Sequence, residues 1–274
     1  MAFSAAAVLT ASAAIGATLQ SVQTYTAAQA DAYRVDFSTF LNAAPNQQIA
    51  LEDFEDLTPQ GSNTMIEREV GSSLSTSVGE FSVALDDANA SGTGTGGTVT
   101  NSTLNGVTNT GTELALRNGS VFGRTSLWDN DYTLGNNDSG EWFLDSNDTF
   151  GIKWDVDVGT EFDRIAFSIM DGSDAGAFLK VLVGDDVLYD QRLEEGPGQL
   201  ADGNIAFVVI DFVGSVTGAT IELTNFASGN GTDLKRNDGV SIDGAYVGVV
   251  PLPASLAFML VGVGALGLAR KRKV

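Results

Sequence analysis

Carboxylates are the only abundant reactive groups in this sequence. Asp and Glu total 35 while His and Cys are both absent, which excludes imidazole bases, thiolate nucleophiles and the usual zinc ligands together. A catalyst built from this chain would have to work with carboxylates, Lys, Tyr or Ser, and paired carboxylates, one as acid and one as base or nucleophile, would be the first choice. Three acidic groups stand out by position. Glu52, Asp53, Glu55 and Asp56 surround Phe54 at the end of an early apolar run, and Asp238 and Asp243 flank the start of the last strand-like run. Oxygen ligands of this kind suit Ca2+, which gathers about six to eight of them. The third group, Asp129-Asn130-Asp131 through Glu141, has the outline of an EF-hand loop, but Leu134 stands where Gly makes the turn and Gly140 where Glu binds the ion. It reads as an Asx-rich turn. Trp128 and Trp142 flank that polar stretch and are candidates for stacking on a sugar ring, whereas Trp154 alternates with apolar residues and reads as core.

The elements that would position these residues are strands. Phe150, Ile152, Trp154 and Val156 alternate with Gly, Lys and Asp, and Ile165, Phe167 and Ile169 repeat the pattern. Shorter runs at 48–54, 78–85, 112–117 and 141–144 fit the same class, and 205–213 is a continuous apolar run of the kind a fully buried strand shows. Gly184-Asp185 between two strand-forming runs predicts a tight hairpin. Val240 and Ile242 are apolar on even positions but Ala245, Val247 and Val249 on odd ones, which predicts a β-bulge at Asp243-Gly244. After Ala30 no stretch of the body shows a sustained 3.6-residue period. The expectation is an all-β chain with a single β-sandwich or jelly-roll domain over 31–249. The Ser-, Thr-, Gly- and Asn-rich stretch 86–112 is expected to be a long flexible loop within it.

Both ends differ from the body. No charged residue occurs over 254–269, and the chain then closes on Arg270-Lys271-Arg272-Lys273. As a helix this run would be roughly 24 Å long, slightly under a bilayer core of about 30 Å. It predicts one C-terminal transmembrane helix over 254–269 with the basic tail 270–273 on the cytoplasmic side. At the other end 5–19 is apolar and rich in small residues, and Ala28-Gln29-Ala30 offers a cleavage site, so 1–30 reads as a signal peptide, although no Lys or Arg precedes Arg34.

Val250-Pro251-Leu252-Pro253-Ala254, the apolar run and the basic end together resemble the VPLPA variant of the PEP-CTERM sorting signal of exported Gram-negative bacterial proteins. Leu252 stands where the namesake motif carries Glu. The resemblance covers about the last 25 residues and implies an exosortase-type transpeptidase as partner. It also implies membrane anchoring by the C-terminus before processing, then delivery to the cell surface or extracellular space. The acids of the first and last strands are similar in placement to those of galactose-binding-type carbohydrate modules, and that likeness implies Glu55 and Asp243 as ligands of a structural Ca2+.

The formal net charge of −21, with four of the fourteen cations confined to the last residues, sets nucleic acid aside as a partner. The expected function is therefore a non-catalytic, exosortase-processed surface or matrix protein, contributing to biofilm or exopolysaccharide. Two alternatives stay open: a carbohydrate-binding module with a structural Ca2+, using Trp128 and Trp142, and a carboxylate-dependent polysaccharide hydrolase or lyase.

Overall fold

The computed structural model describes residues 17–43, 47–55, 57, 68–71, 73–84, 103–104, 107–108, 114–118, 124–128, 142–146, 151–171, 178–192, 204–224 and 240–250. In chain order the first elements are β1 (Ala17–Tyr25), α1 (Ala30–Asn42), β2 (Gln47–Glu52), β3 (Arg68–Gly71), β4 (Ser73–Thr76), β5 (Gly79–Val83), β6 (Thr103–Leu104) and β7 (Val107–Thr108). They continue with β8 (Leu114–Asn118), β9 (Trp142–Asp145), β10 (Gly151–Val156), β11 (Phe162–Met170), β12 (Phe178–Val183) and β13 (Asp186–Arg192). The last three are β14 (Ile205–Val216), β15 (Ala219–Thr224) and β16 (Ser241–Val249).

Alternation along these strands produces two antiparallel sheets. The larger is ordered β1-β14-β11-β16-β9-β8-β3, with β2 also pairing β16; the smaller is β13-β12-β15-β10-β5-β4. Their facing surfaces share one core. Trp154 of β10 meets Phe167 of β11 edge to face at 5.9 Å and stacks on Phe81 of β5 at 5.3 Å. The indole N–H of Trp154 donates to the Val78 carbonyl at 3.0 Å, so its one polar atom is satisfied inside the core. The two sheets face each other as a β-sandwich with more than the eight strands of a simple jelly roll.

The larger sheet is buried on its outer face too, which explains the unbroken apolar run of β14. Ala206, Val208, Ile210 and Phe212 face the smaller sheet, while Ile205, Phe207 and Val209 belong to a second cluster under α1 and the segment 124–128. Tyr33 and Phe37 of α1 are fully buried there. Phe37 packs edge-on against Trp128 at 4.6 Å, and Phe40 against Phe207 at 5.3 Å. This helix corrects the expectation of strand throughout the body. It ends at Ala43, whose backbone is extended and whose N–H closes on the Phe40 carbonyl, two residues before Pro45.

The expected bulge is present. Ala166 pairs with Tyr246 and Ser168 with Asp243, so β16 carries one residue more than β11 over this interval, and Gly244 takes the left-handed φ of +62°. The extra residue flips the parity of β16, sending Val240, Ile242, Ala245 and Val247 to the inner core and Tyr246 to the outer cluster. The expected hairpin also forms, with Gly184 at φ +58° between β12 and β13.

The transmembrane expectation is corrected. Among the described residues no helix is long and apolar enough to cross a membrane, and the only α-helix there, α1, has 13 residues. The run 254–269 lies outside the described residues and no membrane span is assigned; over the described residues the fold is all-β with one short α-helix. Most of the expected loop 86–112 also lies outside them; within it Thr103 and Leu104 pair with Thr108 and Val107.

Residues 17–30, expected to lie in a leader, pack against the body. β1 pairs with β14 from Ala17 opposite Phe212 to Tyr25 opposite Ile205. The buried Tyr25 donates to the Asp36 carboxylate at 2.7 Å. A chain beginning at Asp31 would lose this pairing and uncover the edge of β14. Its Tm is expected to fall by about 4–8 °C relative to a chain beginning at Ala17, for a loss of about 2 kcal/mol at about 2–4 °C per kcal/mol. Equal Tm values would show that β1 adds nothing to the body.

Candidate functional site at the exit of the last strand

Asp243 is fully enclosed on the outer face of β16. Its Oδ2 accepts the backbone N–H groups of Leu127 at 2.6 Å and Trp128 at 2.9 Å and the Ser126 hydroxyl at 3.2 Å, while Oδ1 accepts Gly244 N–H at 2.8 Å. Burial pushes its pKa well above the usual carboxylate range, against the pull of the Leu127 and Trp128 amides. Nearby, Tyr33 and Ser168 share a short hydroxyl–hydroxyl bond.

A ring of donors around one carboxylate is the inverse of a cation site. Glu52 is spoken for in the same way, accepting Phe54 N–H at 3.0 Å and Ser77 N–H at 3.1 Å, and Glu55 accepts Trp142 N–H at 2.9 Å. Glu55 and Asp243 are near enough to interact electrostatically. Yet both are engaged with N–H groups, and among the described residues no three or more acidic side chains gather as a metal site. Glu55 and Asp243 are thus each held by N–H groups of the fold itself. Asp129 through Glu141, the rejected EF-hand stretch, lies outside the described residues, as do Asp56 and Asp238. Trp128 is 2% exposed with its ring against Phe37, so it presents no open face for stacking. Trp142 is half-buried on β9, where it packs against the main core.

A second buried polar cluster has no counterpart in any sequence pattern. The Asp145 carboxylate takes Arg124 Nε at 2.8 Å and Arg117 Nε at 3.3 Å, and Arg124 Nη1 reaches Asp171 at 3.2 Å, all four side chains being at most 3% exposed. β8, β9, the end of β11 and the 124–128 segment are thereby tied together. With Arg34 Nε donating to the Leu127 carbonyl at 3.2 Å, this cluster fixes the outer layer over β16.

At its far end β16 is held on both sides as far as Gly248, and on the β2 side alone at Val249. Val247 pairs with Ile165 of β11 and with Ala50 of β2; Gly248 pairs with Arg164 and Gln48; Val249 pairs with Gln47. A Cβ at Gly248 would collide with the Tyr246 hydroxyl and lie 2.5 Å from the Gln47 carbonyl oxygen, so only glycine permits this closeness. Beside it Arg164 grips Asp211 with two bonds, Nε to Oδ1 at 2.5 Å and Nη2 to Oδ2 at 2.6 Å. That bond to Asp211 raises the Arg164 pKa. One residue past the strand, Val250 N–H donates to Asp163 Oδ1 at 2.6 Å.

The chain from this point carries a recognisable signal. Residues 249–273 match the PEP-CTERM protein-sorting motif. Comparison with curated proteins finds no match. Val249 is at once the last residue of β16 and the first of the sorting motif, so the motif joins the folded body with no linker. Pro251 has no N–H to continue a ladder and biases Val250 to an extended backbone, a local reason for β16 to end where the motif begins. The expected membrane anchoring and membrane partner at the C-terminus are corrected along with the helix that would have supplied them, since no described helix can span.

Proposed function

We propose that this chain is an exported, non-catalytic protein whose β-sandwich body is delivered to the cell surface or extracellular matrix by an exosortase-type transpeptidase acting on the C-terminal sorting motif. The observation that carries this reading is the match over 249–273 abutting the last core strand. The acidic composition suits a soluble body in an extracellular polysaccharide setting. A non-catalytic role is supported by the use to which its buried carboxylates are put: Glu52, Asp145 and Asp243 each hold N–H groups or guanidinium ions of the fold itself.

The test compares the full chain with a variant ending at Val249 in producing cells. The surface-associated fraction is expected to fall at least tenfold on deletion, and to fall equally for the full chain in cells lacking the transpeptidase. Equal surface fractions in all three cases would refute the reading.

A further inference from the structure

We propose that Asp163 sets the inner limit of processing: by holding the Val250 N–H it extends the locked part of the chain one residue past β16, so that the cut falls beyond Val250. The inference rests on reading the tail as a processed sorting signal. A processing enzyme must draw its substrate out as an extended segment, and a strand already paired on both sides cannot be drawn out. Releasing β16 itself would break its ladders to β11 and β2 and pull Ala245 and Val247 from the main core. Pro251 has no N–H to donate, so a ladder continued past Val249 would lose a donor there.

One residue past the strand, already within the motif, stands one described hydrogen bond, from Val250 N–H to the Asp163 carboxylate at 2.6 Å. Asp163 sits on β11, the neighbour that also holds β16 through Arg164 and Ile165, so the clamp belongs to the rigid sheet. The reaction it would bound is acyl transfer: a peptide C–N bond beyond Val250 breaks, the acyl carbon passes to water or an acceptor amine, and the tail leaves as an amine with a proton.

The test uses the full chain with Asp163→Ala and Asp163→Asn, the second keeping an acceptor oxygen in place. Amide exchange at Val250 is expected to accelerate at least tenfold in Asp163→Ala and to stay within about twofold of the parent in Asp163→Asn, with the amides of 245–248 unchanged in both. Tail removal by proteinase K should accelerate at least threefold in Asp163→Ala alone. In producing cells the parent's processed C-terminus should be a single position beyond Val250, and that of Asp163→Ala should spread toward the strand. Unchanged exchange in Asp163→Ala, loss of protection in Asp163→Asn, or a parent product ending at or before Val249 would each overturn the clamp. If the exchange and proteinase K results come out as expected but no tail is cut in producing cells, the sorting reading fails and the clamp stands.

Discussion

Replacing Asp243 with alanine is expected to lower the Tm of the chain by about 6–20 °C. The substitution would strand the N–H groups of Leu127, Trp128 and Gly244 and the Ser126 hydroxyl inside a closed layer. Each unsatisfied buried group costs about 1–3 kcal/mol, and partial relaxation brings the total to about 3–5 kcal/mol, at about 2–4 °C per kcal/mol for a body this size. A loss under about 2 °C would mean that the 124–128 segment docks without Asp243. The same residue has a pH signature. Its folded pKa is raised, chiefly by burial, so the folded state binds the proton more tightly than the unfolded chain. Its contribution to stability is therefore fully present below the ordinary carboxylate value of about 4 and is lost as pH rises through the raised value. Asp243→Asn cannot ionise. The Tm advantage of the parent over Asp243→Asn should accordingly be greatest near pH 4 and shrink toward pH 8, a comparison that cancels the general effect of the acidic surface. An advantage that grows with pH would show that the donors favour the ionised form over the protonated one.

Asp145→Ala should be comparably damaging for a different reason. It removes the carboxylate shared by Arg117 and Arg124 and leaves two buried guanidinium ions with Asp171 as the remaining acid of the cluster. Breaking a buried ion network by deleting one partner costs about 3–5 kcal/mol, because an uncompensated charge stays in a poorly solvated site. Thermal unfolding should shift down by about 6–20 °C, and Asp145→Asn, which keeps the shape but not the charge, should recover only part of that. Full recovery in Asp145→Asn would show that hydrogen bonding, not charge, is what the cluster supplies.

What could be read from the sequence was local. Period-two alternation located β10 and β11, Gly184-Asp185 marked the hairpin, and the change of parity around Asp243-Gly244 marked the bulge, because each depends only on neighbouring residues. The sorting motif was legible for the same reason. α1 was not: Tyr33, Phe37 and Leu41 do recur at helical spacing, but the segment also holds Val35, Thr39 and three aromatics of higher strand propensity, and its stability comes from docking on β14 and β16. Missing α1 meant misplacing Trp128, which borders a polar stretch in sequence yet is sealed beneath the helix. Arg117, Arg124, Asp145 and Asp171 looked like solvated charges; their burial arises only when segments more than forty residues apart converge. Asp163 is one acid among 35 and nothing beside it in sequence marks it; only the pairing of β11 with β16 brings it to the start of the motif.

That the tail beyond β16 is a signal removed by processing is tested most directly by the intact mass of the protein recovered from the surface or medium of producing cells. The expected mass corresponds to a chain that retains Val250 and has lost Arg270 through Val274. A mass that still includes those terminal residues would contradict it.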